Sequence, residues 1–179
     1  MNMPKKNILI INGSASAASS NGRLIGRLVK AMERDFGITL APDLKTIPHF
    51  DPELSTGDAP PEVLAWRASV ETADGVIICT PEYIFSIPSG LKNVLEWCVA
   101  TTVFSDKKVG IITASASGEK GHEELQMILR TMMAKINEGT TWLIPGIKGK
   151  MDGKGEITDE MTRQAFDQFA DAFRTFVLE

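Results

Sequence analysis

Five short apolar runs, separated by segments with helical spacing, constrain the fold of this chain more than any other feature. They are predicted to be strands over 7–11, 38–44, 75–79, 108–113 and 140–144. The third run is unbroken, as expected for a central strand that is covered on both faces. Strands that alternate with helices predict a parallel sheet with helices on both sides and right-handed crossovers.

The segments between the runs carry apolar residues at spacings of three and four, which predicts helices. The first stripe extends from Leu24 to Phe36, with Gly37 as its stop signal. The other helices are predicted over 62–72, 88–99, 122–136 and 159–177, and the stretch 45–61, with four prolines, is predicted to be a surface loop. Five such units in 179 residues fit an α/β flavodoxin-like fold. This is a doubly wound five-stranded parallel sheet of order 2-1-3-4-5, here in one domain over 1–179.

Charge and cysteine content exclude several classes of protein. The 19 Lys and Arg stand against 23 Asp and Glu, so the net charge is −4, whereas a general nucleic-acid binder carries a basic surplus. No apolar run approaches the ~20 residues of a membrane-spanning helix, and the first run is too short for a signal peptide. Cys79 and Cys98 cannot form a disulfide framework. We therefore expect a cytoplasmic protein with no nucleic-acid or membrane partner and with both cysteines in its core.

In a sheet of this order, ligands bind beyond the carboxyl ends of the strands, near the reversal in strand order. The loop after strand 1 is rich in small and hydroxyl side chains and opens onto a helix, where backbone N–H groups can bind a phosphate. Its candidate ligands are Ser14, Ser16, Ser19, Ser20 and Asn21. The P-loop and the G-x-G-x-x-G fingerprint are both absent. The alternative is a turn rich in helix-capping residues with no ligand.

The loops after strands 3 and 4 complete this candidate site. The loop over 80–90 contains Tyr83 and Phe85; such side chains can flank a flat ring while backbone groups supply its polar contacts. The alternative is an apolar loop that packs on a neighbouring subunit, and both can be true together. The loop over 114–122 could approach a cofactor edge through Ser117 and Gly118, or it could be a plain connection.

Taken together, the three loops resemble those of the NADPH-dependent FMN reductase family, whose first loop reads roughly G-S-x-R-x-x-S-x-N. The residues that match are Gly13, Ser14, Ser19 and Asn21. The family's longer second motif, P-E-Y-N-x-S-x-P-x-x-L-K-N-x-x-D/E-W, is matched by Pro81, Glu82, Tyr83, Ser86, Pro88, Leu91, Lys92, Asn93, Glu96 and Trp97. The third region is matched by Ser117, Gly118, Gly121, Gln126, Leu129 and Arg130. The resemblance extends over essentially the whole chain.

This resemblance implies a bound FMN, with NAD(P)H as co-substrate. The phosphate would be bound by the first-loop candidates, and the flavin ring would contact Pro81, Glu82, Tyr83 and Ile84, largely through backbone. Ser117 and Gly118 would close the other edge of the ring. No side-chain acid or base is then required, because the flavin supplies the chemistry. We expect no metal site, since a calcium reading of the loop over 150–161 would need oxygen ligands where Lys150 and Met161 stand.

Two positions depart from the family motifs. Ser16 stands where the family has an arginine, and Ile84 stands where it usually has an asparagine. Replacing a charge-assisted hydrogen bond with a neutral one predicts a loss of about tenfold in FMN affinity.

The function that the resemblance implies is an NAD(P)H-dependent oxidoreductase that reduces free flavin, a quinone, an azo compound or a metal oxyanion. The alternatives are a flavodoxin-like electron carrier and a flavin-free binding or regulatory relative. The resemblance also implies a homodimer or homotetramer, and the exposed apolar sequence at 83–85 is a physical reason to expect an interface.

Overall fold

All five predicted strands form one parallel sheet in the order β2-β1-β3-β4-β5, as the sequence predicts. The computed structural model describes residues 4–179. The strands are β1 Asn7–Asn12, β2 Gly37–Leu40, β3 Gly75–Thr80, β4 Lys108–Ser115 and β5 Thr141–Pro145. The strand order reverses between β1 and β3, so the loops that follow these two strands diverge and leave a crevice at their carboxyl ends.

Five α-helices cover the two faces of the sheet. They are α1 Ser20–Met32, α2 Pro61–Thr72, α3 Ser89–Glu96, α4 Glu119–Thr131 and α5 Glu160–Leu178. Short 3-10 turns lie at Leu44–Thr46, Glu138–Thr140 and Ile147–Gly149. Among residues 4–179, no helix is long and apolar enough to cross a membrane.

The core consists of two apolar layers, one on each face of the sheet. Alternate residues of β1 point into different layers. Leu9 and Ile11 face the layer built with α2, α3 and α4, whereas Ile8 and Ile10 face α1 and α5. Every residue of β3 is buried, as the unbroken apolar run predicts for a central strand. Both cysteines are free thiols in these layers, which confirms their predicted place in the core.

Two boundaries predicted for the first βαβ unit are wrong. Helix α1 ends at Met32, and the next residues form a turn in which the N–H of Phe36 donates to the carbonyl of Met32. Gly37 does not cap the helix, because its N–H donates to the carbonyl of Lys6 and it begins β2. Strand β2 ends at Leu40, four residues before the predicted end at Leu44, which lies in a 3-10 turn.

The observed boundaries of the fourth unit also differ from the predicted ones, because β4 is longer and α4 lies earlier in the chain. Strand β4 continues to Ser115, and α4 begins at Glu119 rather than at 122. The helix ends at Thr131 because Met133 adopts a left-handed conformation with φ of 61°. The N–H of Ala134 then donates to the carbonyl of Leu129, as in the Schellman termination of helices. This motif usually has glycine at the left-handed position, so a methionine there gave no stop signal.

Candidate functional site

A cavity of about 740 Å³ lies beyond the carboxyl ends of the strands, at the predicted place in the sheet. Its size is within the range of ordinary cofactor sites. Four loops line it, those after β1, β3, β4 and β5. The lining residues are Ser14, Ser16, Ala18, Ser19, Ser20, Asn21, Arg23, Pro81, Glu82, Tyr83, Ala114, Ser115, Ala116, Gly146, Ile147, Lys148 and Gly149.

The loop after β1 approaches β3 closely and is held in shape by its own side chains. The N–H of Gly13 donates to the carbonyl of Cys79 over 2.9 Å, which extends the contact between the two strands. A Cβ atom at Gly13 would lie 2.4 Å from Oγ1 of Thr80, so only glycine fits there. Further along, the N–H of Ser14 donates to Oδ1 of Asn12, and Oγ of Ser14 accepts from the N–H of Ser16.

The first turn of α1 faces the cavity with several donors. Ser19 caps the helix, because its Oγ accepts the N–H of Gly22 at 3.0 Å. Ser14, Ser16, Ser19 and Ser20 all line the same cavity. An N-terminal helix turn with unpaired N–H groups and neighbouring hydroxyls can bind an anion.

Asn21 has a different role from the predicted one. Its side chain is almost fully buried, its Nδ2 donates to the carbonyl of Ala114, and its Oδ1 accepts from the thiol of Cys79. These bonds join α1 to β3 and β4, so the side-chain amide is already engaged on both sides. The buried side chain of Asn21 therefore joins these elements, and its backbone N–H is the group best placed to meet a ligand.

The loop after β3 turns sharply at its tip. Tyr83 and Ser86 exchange two backbone hydrogen bonds, and the two residues between them have positive φ, 50° at Ile84 and 59° at Phe85. Such a turn favours Asn and Gly, and a β-branched residue in it is an outlier. Ile84 is 94% exposed and Phe85 77% exposed. Ile84 therefore points away from the cavity that it was predicted to line, whereas Pro81, Glu82 and Tyr83 do line it.

Two glutamates fasten this loop to α4. The carboxylate of Glu82 accepts the N–H of Gly121 at 2.8 Å and that of Gly118 at 3.3 Å. In the opposite direction, Glu124 of α4 accepts the hydroxyl of Ser86 at 2.7 Å and the N–H of Ile87 at 2.9 Å. The strained tip is thus held on both flanks, which gives Glu82 a positioning role in addition to its place in the cavity wall.

The residues at the end of β4 that line the cavity come earlier in the sequence than the predicted ones. Ser115 and Ala116 line the cavity, and Ser117 and Gly118 do not. The reason is the extra length of β4, which carries Ser115 to the edge of the sheet. Oγ of Ser115 accepts from the N–H of Glu82, so this residue also joins the two loops. Gly118 instead caps α4 in a left-handed conformation with φ of 94°.

Arg23 and the loop after β5 were missed by the sequence analysis. Arg23 lies in the first turn of α1, and Lys148 lies in the loop that follows β5. The β5 loop reaches the site because the N–H of Gly146 donates to the carbonyl of Ala116. Arg23 could have been found by its spacing, since it stands three residues after Ser20 and so shares its helix face. No sequence signal identified the β5 loop.

The titratable groups around the cavity do not form an acid–base pair. Burial raises the pKa of the Cys79 thiol well above its usual range, so the residue is not a nucleophile. His122 lies in the first turn of α4, and its Nδ1 is 2.8 Å from the hydroxyl of Thr113. Burial lowers the pKa of this imidazole, which keeps it neutral near pH 7. The arrangement is suited to binding and orienting a ligand rather than to proton transfer.

Comparisons with known proteins agree with this geometry. A sequence model of the family described as NADPH-dependent FMN reductase matches residues 6–147. The chain is 28% identical to a quinone reductase of Escherichia coli over 180 residues, covering 97% of this chain and 96% of the relative. It is 31% identical to the NADH:(hydroxy)cinnamate reductase subunit CrdA of Vibrio ruber, covering 96% of this chain and 86% of that protein.

A solved structure supports the same fold. The flavoenzyme NAD(P)H:(acceptor) oxidoreductase FerB of Paracoccus denitrificans superposes with a TM-score of 0.78 and covers 97% of both chains. Because the two sequences are only 24% identical, this likeness establishes the flavodoxin-like fold and not a shared substrate.

Proposed function

The chain belongs to the NADPH-dependent FMN reductase family, and from this premise we propose that it passes electrons from NAD(P)H through FMN to a small-molecule acceptor. Relatives of the family are oxidoreductases. The observation that carries the proposal is the cavity at the strand-order switch, which is lined by residues of all three predicted loops.

The chemistry of the cavity wall fits FMN. At the start of α1, hydroxyl groups, the helix N-terminus and the guanidinium of Arg23 offer donors suited to a phosphate. The Nε atom of Arg23 is buried and has no partner among residues 4–179. The rest of the wall, with Pro81, Tyr83 and Ala116, offers apolar surface and backbone groups suited to a flat ring system.

In this proposal, the residues of the chain bind and orient, and they transfer no proton. When bound, FMN would supply hydride-transfer chemistry between NAD(P)H and the acceptor. The first-loop hydroxyls would bind its phosphate, and the backbone of Pro81, Glu82 and Tyr83 would border its ring. The hydrogen bonds of Glu82 with Gly121 and of Glu124 with Ser86 keep the loop after β3 rigid. NAD(P)H and the acceptor would then bind one after the other at the same face of the ring.

We propose a quinone as the acceptor, since a relative that matches nearly the full chain is named a quinone reductase. A quinone is flat and uncharged, so it needs no charged partner beside the ring. Free flavins, azo compounds and metal oxyanions are the competing classes. Comparing their reduction rates with NADH and with NADPH would distinguish them.

The test of the proposed function uses the purified chain with added FMN. We expect flavin absorbance to remain with the protein after gel filtration, and NAD(P)H to be oxidised when a benzoquinone is supplied. Bound flavin without NAD(P)H oxidation would instead favour an electron carrier. No retained flavin at millimolar FMN would favour a flavin-free binding protein and would refute the proposal.

We further propose that the chain acts as a homodimer or homotetramer in the cytoplasm. The side chains of Ile84 and Phe85 are exposed, and Phe85 shares a shallow groove with Met127, which is 62% exposed. A neighbouring subunit would cover this apolar surface.

The two free cysteines suit a reducing compartment, which supports the proposed location in the cytoplasm. The single sheet between two core layers supports a single domain over 1–179.

A further inference from the structure

Arg23 is an arginine without an acidic partner in an acidic protein. Its Nη2 donates to Oγ of Ser20 at 3.2 Å, and its Nη1 makes a long contact of 3.4 Å to the carbonyl of Ala18. Among residues 4–179 it forms no ion pair, whereas Arg27, Arg163 and Arg174 each pair with a carboxylate. Its positive charge is therefore not neutralised by any described residue.

The position of Arg23 in its helix is unfavourable unless an anion is present. A helix N-terminus carries a partial positive charge, so a cation in the first turn is repelled and an acidic residue is favoured. The first turns of α2, α4 and α5 carry Glu62, Glu119 and Glu160, whereas those of α1 and α3 have no acidic residue. In α3, the equivalent cation Lys92 pairs with Glu124 of α4, whereas Arg23 has no such partner among the described residues. An anionic ligand in the cavity would reverse the sign of this interaction and stabilise the arginine.

The loop between β5 and α5 supports the side chain of Arg23. Gly155 has φ of 88°, and a Cβ atom on it would lie 3.2 Å from the Cβ of Arg23. Glycine at this position lets the loop pack against the stem of the arginine. The guanidinium is thus held beside Ser20, at the cavity wall, rather than free in solvent.

We propose that Arg23 binds the phosphate group of FMN and makes the site select FMN over riboflavin. The inference rests on the proposed function. Arg23 supplies the charged donor that the family motif places at the position of Ser16, but it does so from the helix rather than from the loop. The predicted loss of affinity at Ser16 is then offset by an arginine seven residues later.

The experiment titrates flavin-free protein with FMN and with riboflavin, following flavin fluorescence. Arg23→Gln removes the charge and Arg23→Lys retains it. Arg27→Gln is the matched control, because Arg27 lies on the same helix, pairs with Glu156 and does not line the cavity. We expect Arg23→Gln to weaken FMN binding about ten- to a hundredfold and to leave riboflavin binding within about twofold. Arg23→Lys should recover part of the loss, and Arg27→Gln should bind both flavins like the wild type.

Each other outcome has a definite meaning. If the wild-type protein binds neither flavin, the proposed function fails. If it binds FMN and Arg23→Gln binds FMN equally well, the function stands and the role of Arg23 is refuted. An equal loss for FMN and riboflavin would show a structural effect and would also refute it. Lys148, the other cation of the cavity wall, is tested in the same way as Lys148→Gln. If that variant, and not Arg23→Gln, weakens FMN binding selectively, the charged ligand is Lys148 and the role of Arg23 is refuted.

Discussion

At the scale of single residues, Glu82 carries more of the site's architecture than its place in a motif suggests. We predict that Glu82→Ala lowers the free energy of unfolding by about 1–2 kcal/mol, the usual cost of losing a helix N-terminal cap. The N–H of Gly121, a buried residue of α4, would lose its partner. Urea denaturation followed by circular dichroism measures this change.

The control for that variant is Glu123→Ala on the same helix. Glu123 is exposed and pairs only with Lys120 one turn away, so its loss should leave the urea midpoint nearly unchanged. Equal destabilisation by the two variants would contradict the capping role of Glu82.

His122 makes the stability of the protein depend on pH. Burial lowers the pKa of this imidazole in the folded state, and the carboxylate of Glu123 offsets part of the effect. The unfolded chain therefore binds a proton more readily than the folded one at and below about pH 6.5, so acidification favours unfolding. We predict that the free energy of unfolding rises between pH 5.5 and 7.5.

His122→Asn isolates this contribution, because it keeps a hydrogen-bonding side chain next to Thr113 without a titratable ring. The variant should show a smaller increase in urea midpoint over the same pH interval. An unchanged pH dependence would mean that other groups produce it.

At the scale of elements, the close approach of the first loop to β3 depends on Gly13. We predict that Gly13→Ala destabilises the protein by about 1–3 kcal/mol, the usual cost of overpacking. Its Cβ would overlap Thr80 and make a tight contact of 3.0 Å with Cδ2 of Leu91. The displaced loop carries Ser14 and Ser16, so the affinity for FMN should fall as well. Thermal unfolding and an FMN titration measure the two effects.

Gly26→Ala is the matched substitution, because Gly26 is exposed within α1 and an added Cβ would meet no atom within 4 Å. It should stabilise the protein by about 0.5–1 kcal/mol, since alanine is the better helix former. Stabilisation by both alanines would show that the loop can move away from β3 without cost.

The elements also show where sequence reasoning succeeds and where it stops. Apolar runs and helical spacing reflect burial within one segment, so they predict the five strands and the five α-helices. The alternation of these elements then predicts the sheet order. The start of α4 was missed because its N–H groups are capped by Glu82, from another part of the chain. The wall at Ser115 and the contribution of the β5 loop likewise depend on how far neighbouring strands extend, which no single segment encodes.

At the scale of the whole molecule, the cavity and the exposed apolar turn lie on the two sides of one loop. Tyr83 lines the cavity, whereas Ile84 and Phe85 face outward. The left-handed conformation of Ile84 costs roughly 1–2 kcal/mol. An exposed isoleucine in a strained conformation brings no advantage to a single subunit. Its presence is accounted for if a second subunit packs on its side chain. Self-association would then hold the turn, and through Tyr83 it would affect the flavin site.

We therefore predict that the double variant Ile84→Asn with Phe85→Asn dissociates the oligomer. Asparagine tolerates the left-handed conformation, so the turn should be retained while its apolar surface is lost. Sedimentation velocity at micromolar concentration should show a dimer or tetramer for the wild type and a monomer for the variant. The monomer should also bind FMN more weakly, because the turn that borders the ring has lost its cover.

The matched control for this last prediction is Met161→Gln, which removes a side chain that is 79% exposed in the first turn of α5. It should leave the sedimentation coefficient unchanged, since this position lies far along the chain from the turn and lines neither groove nor cavity. A monomeric wild type would refute the interface at 84–85. An oligomeric double variant would place the contact elsewhere, and the strain at Ile84 would then need an explanation within the single chain.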